Sequence, residues 1–296
     1  MRDFDETNIT EAVVAQFADA GDPRLKRIMT SLVRHLHDFV RDIEPSFEEW
    51  SFAVDFLTRT GQMCSNKRQE FILLSDTLGV SMLIDAINHR IPAGATKTTV
   101  LGPFYVEGPP ELPLGADVSN GISGEPLLVE GSVTSSDGTP LAGAVVDIWQ
   151  SDGDGYYDVQ QAEFDGPLLR ARFRTDEVGR FRFRTIMPAF YPIPHDGPVG
   201  QMLAATKRHP NRPAHVHFMI AADGHETLIT HIFAADSPYL DSDAVFGVKN
   251  SLVVDFARRA AGSAVDRAHR HLAYDFGLKR VDHLTAAPMP SRENKA

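Results

Sequence analysis

The hydrophobic period of this chain changes near Ile91, and no other feature constrains its fold as strongly. Before that point apolar residues recur three and four apart. Leu25, Ile28, Met29, Leu32, Val33, Leu36, Phe39 and Val40 make one stripe along a helix. Asp22-Pro23 supplies its N-cap and a proline at its first position. Asn8-Ile9-Thr10-Glu11 reads as the capping box of an earlier helix, stopped by Gly21. Ser46 and Glu49 make a second box, and Gly61 ends the helix they start. Two shorter helices are expected around Lys67 to Leu78 and Val80 to His89.

Between Gly102 and Pro126 glycine and proline crowd the chain, as in an irregular connection. Beyond it the period is two. Leu127 to Val133, Ala144 to Trp149, Leu169 to Arg174, Arg180 to Arg184, His215 to Ile220 and Leu228 to Phe233 read as strands. Turns such as Ser136-Asp137-Gly138-Thr139-Pro140 separate them. Asp241 to Ala261 reads as mixed and partly helical. The expectation is an α+β chain: a helical region over 1–101, a Gly/Pro-rich connection over 102–126, a β-sandwich domain over 127–284 and a tail over 285–296.

Composition excludes several classes. The formal net charge is −11 with no basic cluster, which argues against nucleic acid as a partner. The one cysteine, Cys64, permits no intrachain disulfide and no Cys-rich metal site, as suits a reducing compartment. No apolar run is long enough to span a membrane, and the polar, acidic N-terminus lacks a secretory signal. A cytoplasmic protein without membrane insertion is expected.

His215 and His217 carry the first chemical signal. Alternation with Val216, Phe218 and Ile220 puts both imidazoles on one face of a strand, and neutral imidazole is a common metal ligand. His-x-His recurs at His35/His37 and His269/His271, but both runs read as helical, where residues two apart do not share a face. Two histidines leave a site incomplete. His-Glu-x-x-His is absent, and a zinc hydrolase would lack a general-base carboxylate beside the pair. His225 and His231 flank the next strand. Tyr157 follows the turn Asp152 to Gly155, and Tyr191 lies in the rigid run Met187 to Pro194. Either tyrosine could equally be a ring whose hydroxyl is bonded at a strand end.

Taken together, these motifs resemble the intradiol ring-cleavage dioxygenases. The matching pieces are Leu101-Gly102-Pro103-Phe104-Tyr105, Asp147-Ile148-Trp149-Gln150, Gly155-Tyr156-Tyr157-Asp158, Pro188 to Tyr191 and Arg212 to Phe218, in the family's order. Within the family the chain is similar to the hydroxyquinol 1,2-dioxygenase subgroup. Gln69 to Met82, Pro92 to Thr96, Thr230 to Phe233 and Tyr239 to Lys249 carry that likeness.

The resemblance implies one ferric ion per subunit, held by Tyr157, Tyr191, His215 and His217, with Tyr191 the ligand that leaves when substrate binds. Tyr156 competes with Tyr157; the family's ligand falls two residues after the glycine, which favours Tyr157. Arg212 matches the active-site arginine. Leu73, Asp76, Val100, Leu101, Gly102, Pro103, Phe104, Ile193, Pro194 and Val245 are the implied substrate wall. His231 stands where catechol-cleaving relatives commonly carry glutamine. Anionic oxygen donors suit a hard Fe³⁺ ion, and two phenolates with a hydroxide balance its charge. The implied reaction opens hydroxyquinol with O₂ to 3-hydroxy-cis,cis-muconate, the enol form of maleylacetate; catechol or a chlorocatechol is the alternative substrate. Asp76 could accept a bond from the third hydroxyl, or could simply cap a helix or pair with Lys67 or Arg68. The resemblance also implies a homodimer through the N-terminal helices, often with a buried lipid. A reading from another class remains: Asp137 to Val146 resembles the strand–turn–strand of non-catalytic transthyretin-like modules.

Overall fold

A computed structural model describes residues 2–65, 68–161, 166–262 and 265–281. Two compact units divide between Gln62 and Met63. Lys67, where a helix was expected to start, and the expected tail over 285–296 lie outside the described residues.

The first unit is helical: α1 (Ile9–Ala15), α2 (Pro23–Ile43) and α3 (Phe47–Gln62). Its caps are local chemistry. Asp22 accepts from the Arg24 amide at the start of α2. Ser46 and Glu49 exchange backbone and side-chain bonds at the start of α3. Asn8 departs from its expected role. Its side chain accepts from the Asp5 amide, and Asp5 takes up the amides of Thr7 and Asn8 instead. Nor does Gly21 stop α1, which ends at Ala15, while α3 runs through Gly61. Thr10 on α1 bonds His37 and Arg41 on α2. The apolar stripe of α2 stays exposed in the single chain, with Leu32, Leu36 and Phe39 each more than half accessible.

The second unit begins with α4 (Glu70–Thr77) and α5 (Val80–Asn88), joined at Gly79 in the left-handed region. One five-stranded sheet runs β3 (Arg170–Arg174), β2 (Val145–Gln150), β7 (His215–Ala221), β8 (Leu228–Ala234), β9 (Val253–Val254). The other is built on β1 (Pro126–Ser135). It pairs antiparallel with β4 (Arg180–Ile186) and parallel with β11 (His269–Ala273) and β12 (Phe276–Leu278), and β10 (Ala257–Arg259) edges β11. A short ribbon pairs β5 (Tyr191–Pro192) with β6 (Asn211–Arg212), and α6 (Pro198–Ala205) lies between them in sequence. Gly131 marks the β11–β12 crossover, because a Cβ there would stand 1.8 Å from the Tyr274 carbonyl oxygen.

The core lies between the sheets. Val146, Ile148, Val216, Phe218 and Ile220 from one meet Val129, Phe181, Phe183 and Phe276 from the other. Helices followed by packed sheets make this an α+β fold, as expected.

Two expectations fail here. The run His269-Arg270-His271 is a strand, not a helix. Its alternation was masked by charge, because Arg270 faces Glu125 and Asp236, and His271 faces Glu130. Over Asp241 to Ala261 the helical content is a single 3-10 turn, Asn250–Leu252, beside short β9 and β10. Helix α6 was not anticipated. Its eight residues offer only Val199 and Leu203 as a buried pair at spacing four. No helix among the described residues is long and apolar enough to cross a membrane.

Candidate metal centre

Register builds the site. Arg170, Trp149, His217 and His231 stand opposite one another across β3, β2, β7 and β8. Residues directly opposite in a sheet share a face, so this row turns four polar or aromatic side chains to the side away from the core. His215 lies on the same face two residues earlier. Strand β7 is therefore buried on both sides: Val216, Phe218 and Ile220 in the sandwich, His215 and His217 in the site.

Two tyrosines close the cluster. The Tyr157 hydroxyl lies 2.9 Å from His217 Nε2 and 3.3 Å from the Tyr191 hydroxyl. His215 Nε2 lies 3.0 Å from His217 Nε2 and 3.5 Å from the Tyr191 hydroxyl. The four donor atoms thus form a closed ring, and all four residues are buried. Tyr156, the competitor, points to solvent with 55% of its surface exposed. Tyr191 reaches the ring because β5 pairs it with Arg212.

The ring fits a metal ion. Metal–donor bonds of about 2.0–2.1 Å at right to tetrahedral angles put donors about 2.9–3.4 Å apart. The imidazoles are free to donate. Burial, reinforced by Arg212, lowers the His215 pKa to about 3. Burial, then the charges of His231 and His215, pushes His217 well below its ordinary value. His215 Nδ1 lies 2.7 Å from the Pro213 carbonyl, so it carries the proton and Nε2 keeps its lone pair. Burial and the neighbouring Tyr191 push Tyr157 up, so its phenolate needs a cation beside it.

The cluster His215, His217 and His231 also lies close enough to ligate one ion. His231 is the weaker donor. Its Nδ1 lies 3.3 Å from Arg212 Nη2, which commits that lone pair, and its Nε2 faces the Val100 backbone without a well-formed hydrogen bond.

Arg212 is 2% exposed and gripped by Asp243, Nε to Oδ1 at 3.0 Å and Nη2 to Oδ2 at 3.2 Å. Burial opposes its charge, but Asp243 more than offsets this and raises its pKa. Nη1 lies 3.5 Å from His215 Nε2. Asp243 is held in turn by the Gly247 amide at 2.8 Å.

The expected substrate wall is distributed as follows. Phe104 stacks on Tyr157 at 4.4 Å, and Leu101 packs on the same cluster. Gly102 has a positive φ, and a Cβ there would stand 3.3 Å from His217 Cε1. Val100 and Pro194 are half-buried, Ile193 and Val245 buried, and Pro103 exposed. Asp76 is buried on α4, close enough to Arg212 and Asp243 for their charges to act on it; burial raises its pKa. It does not pair with Arg68, which faces Glu70 and Asp196. Leu73, one turn earlier, is also buried.

Three residues of the site were not singled out from the sequence: Asp243, Trp149 and Arg170. Trp149 stacks on His217 at 4.5 Å. Each lay inside or beside a recognised stretch, but only strand register and a contact 31 residues along the chain reveal what it touches.

Comparison with known proteins gives the family. A family model described as Dioxygenase matches residues 100–280, and one described as Catechol dioxygenase N terminus matches residues 22–96. The chain belongs to the intradiol ring-cleavage dioxygenases. This dioxygenase is 56% identical over 263 residues to a 6-chlorohydroxyquinol 1,2-dioxygenase of Cupriavidus pinatubonensis, covering 89% of this chain and 95% of the relative. It is 54% identical over 256 residues to a hydroxyquinol 1,2-dioxygenase of a Rhizobium species, covering 86% and 87%. A solved hydroxyquinol 1,2-dioxygenase of Pseudomonas putida superposes on the dioxygenase with a TM-score of 0.90 at 49% identity, covering 93% of this chain and 99% of that one. As an intradiol dioxygenase the chain is an enzyme with a metal site, acting on an aromatic substrate and O₂.

Proposed function

We propose that this enzyme cleaves hydroxyquinol (1,2,4-trihydroxybenzene) between its adjacent hydroxylated carbons, giving 3-hydroxy-cis,cis-muconate. The metal is ferric iron, one ion per subunit, with Tyr157, Tyr191, His215 and His217 as ligands. The observation that carries this reading is the closed ring of four buried donors, two phenols and two neutral imidazoles, beside a guanidinium. A non-catalytic transthyretin-like module has no use for such a ring. The names of the relatives support hydroxyquinol as the substrate.

The chemistry a ferric ion supplies there is Lewis acidity toward a diolate, which makes the ring an electron donor to O₂. The protein does the rest. Tyr157 stays in place, held between Phe104 and Tyr191. Tyr191, on the short β5 ribbon, would hold the ion beside Tyr157 and His215, and its phenolate oxygen is placed to take up a proton from a substrate hydroxyl. Arg212 keeps its charge and faces the substrate side of His215, where it stabilises negative charge developing on the ring. Phe104 and Leu101 keep water from Tyr157. Asp76 accepts a bond from the third hydroxyl, so a diol lacking that group forgoes a bond to this buried carboxyl.

The exposed stripe of α2, with Phe47 and Trp50 on α3, supports a homodimer through the N-terminal helices, and a lipid buried there belongs to the same proposal. A cytoplasmic location belongs to the same proposal, in keeping with a single cysteine.

Purified protein should be wine-red from tyrosinate-to-Fe³⁺ charge transfer, and a colourless iron-loaded preparation would sink the ligand set. Oxygen uptake with hydroxyquinol should exceed that with catechol or a chlorocatechol. In Asp76→Ala the preference for hydroxyquinol over catechol should fall about tenfold or more. Faster turnover of catechol by the unmutated enzyme would reverse the substrate assignment.

A further inference from the structure

Arg170 has no part in the chemistry above, yet it is a buried cation, 4% exposed, in the same strand row as His217. Its fork works in two directions. Nε and Nη2 grip the Asp158 carboxylate, while Nη1 donates to the Phe104 carbonyl at 3.1 Å. Both targets bear on Tyr157. Asp158 is the next residue in the chain, and its carboxylate also accepts from the Val159 and Leu168 amides, at 2.8 and 3.2 Å. Phe104 lays its ring on the Tyr157 ring at 4.4 Å and 22°. Two residues before Phe104, Gly102 abuts His217. A buried ion pair is weak support for stability alone, because desolvation consumes most of the attraction. This one joins the backbone after Tyr157 to the segment that covers it.

We propose that Arg170 is a positioning residue: with Asp158 it sets the orientation of Tyr157 and the depth of the Gly102–Phe104 wall against the metal centre. This rests on Tyr157 being the ligand that stays bound. The need is for arginine and not merely for charge, since an ammonium cannot serve a carboxylate and a carbonyl on opposite sides of a planar fork.

The test uses iron-loaded enzyme and three variants, Arg170→Lys, Asp158→Asn and Tyr157→Phe, read by visible absorption, thermal melting and steady-state kinetics. Arg170→Lys should fold, load iron, shift the tyrosinate band and lower kcat about 100-fold with a smaller change in KM. Asp158→Asn, close in volume, should shift the band in the same direction and keeps the test open if Arg170→Lys does not fold. A lowered melting temperature with an unchanged band and kcat would make Arg170 a strut of β3 only, and would overturn the proposal. If Tyr157→Phe leaves the band unchanged, the ligand reading itself falls. If Tyr157→Phe alters the band while both other variants keep the native one, the positioning role alone falls.

Discussion

Asp243 decides what Arg212 can do. A guanidinium this deep would fold at heavy cost without a carboxylate, and the two-point grip leaves Nη1 turned toward His215. Asp243→Asn keeps the shape and removes the counter-charge. It should lower stability by about 3 kcal/mol, as when one member of a buried pair is lost, and lower kcat more than it raises KM. Urea unfolding and oxygen-uptake kinetics would measure both. A second consequence belongs to the imidazoles of the metal-free protein. Unfolded histidine takes up a proton near 6.5, folded His215 only near 3, and His217 and His231 are shifted the same way. Between those values the unfolded chain binds more protons, so stability is lost as pH falls below about 6.5. Urea midpoints of iron-free protein should drop between pH 7 and pH 5, and His231→Gln should shallow that drop. At this scale the sequence reads unevenly. His215 and His217 were legible because period two alone puts them on one face. Asp243 was not, because no periodicity announces a partner from another part of the chain.

The elements explain why a strand pair and two distant tyrosines meet. Strand β7 shares one face with the core, and its register with β2 and β8 lines up Trp149, His217 and His231. A slip of one residue would turn the histidines into the sandwich and Phe218 into the site. Helices α4 and α6 are clasped by Glu70, fully buried, which accepts from the Val199 amide at 3.2 Å and pairs with Arg68, itself paired with Asp196. Ile193 and Pro194 lie between Tyr191 and α6 in the chain, so the clasp bears on the proposed substrate wall. Glu70→Ala should cost about 2 kcal/mol and raise KM for hydroxyquinol with little change in the visible band. Thermal melts, kinetics and spectra would separate those effects. Gly197 leaves room for the clasp, since a Cβ there would stand 2.5 Å from Glu70 Oε1. The six strands read from period two were legible within a residue or two, because one face of each is apolar. Strand β11 was not, for its residues answer to charges on β1 and on neighbouring loops, and α6 was too short to show a stripe.

For the molecule as a whole, the helical unit leaves more apolar surface exposed than a lone chain carries comfortably. Leu32, Leu36 and Phe39 on α2 and Phe47 on α3 are the residues to test. Replacing Leu36 and Phe39 together by aspartate should turn a dimer into a monomer in sedimentation velocity, with the visible band retained. An unchanged sedimentation coefficient would overturn the proposed dimer through these helices. The change of period near Ile91 made the helix-then-sheet order legible from the start, whereas the pairing of β1 with strands near the C-terminus was not.

That pairing bears on how the protein is made. The Ser132 amide bonds the Asp275 carboxylate across 143 positions, and Leu127 to Glu130 lie beside Arg270 to Ala273. Strand β1 therefore leaves the ribosome long before half of its sheet exists. A nascent chain ending before His269 holds Leu127 and Val129 with β4 on one edge and nothing on the other. Such an edge is a template for other chains, and pairings this distant form slowly. The sandwich closes only once β11 and β12 have been made, and until then this apolar edge needs shielding from other chains.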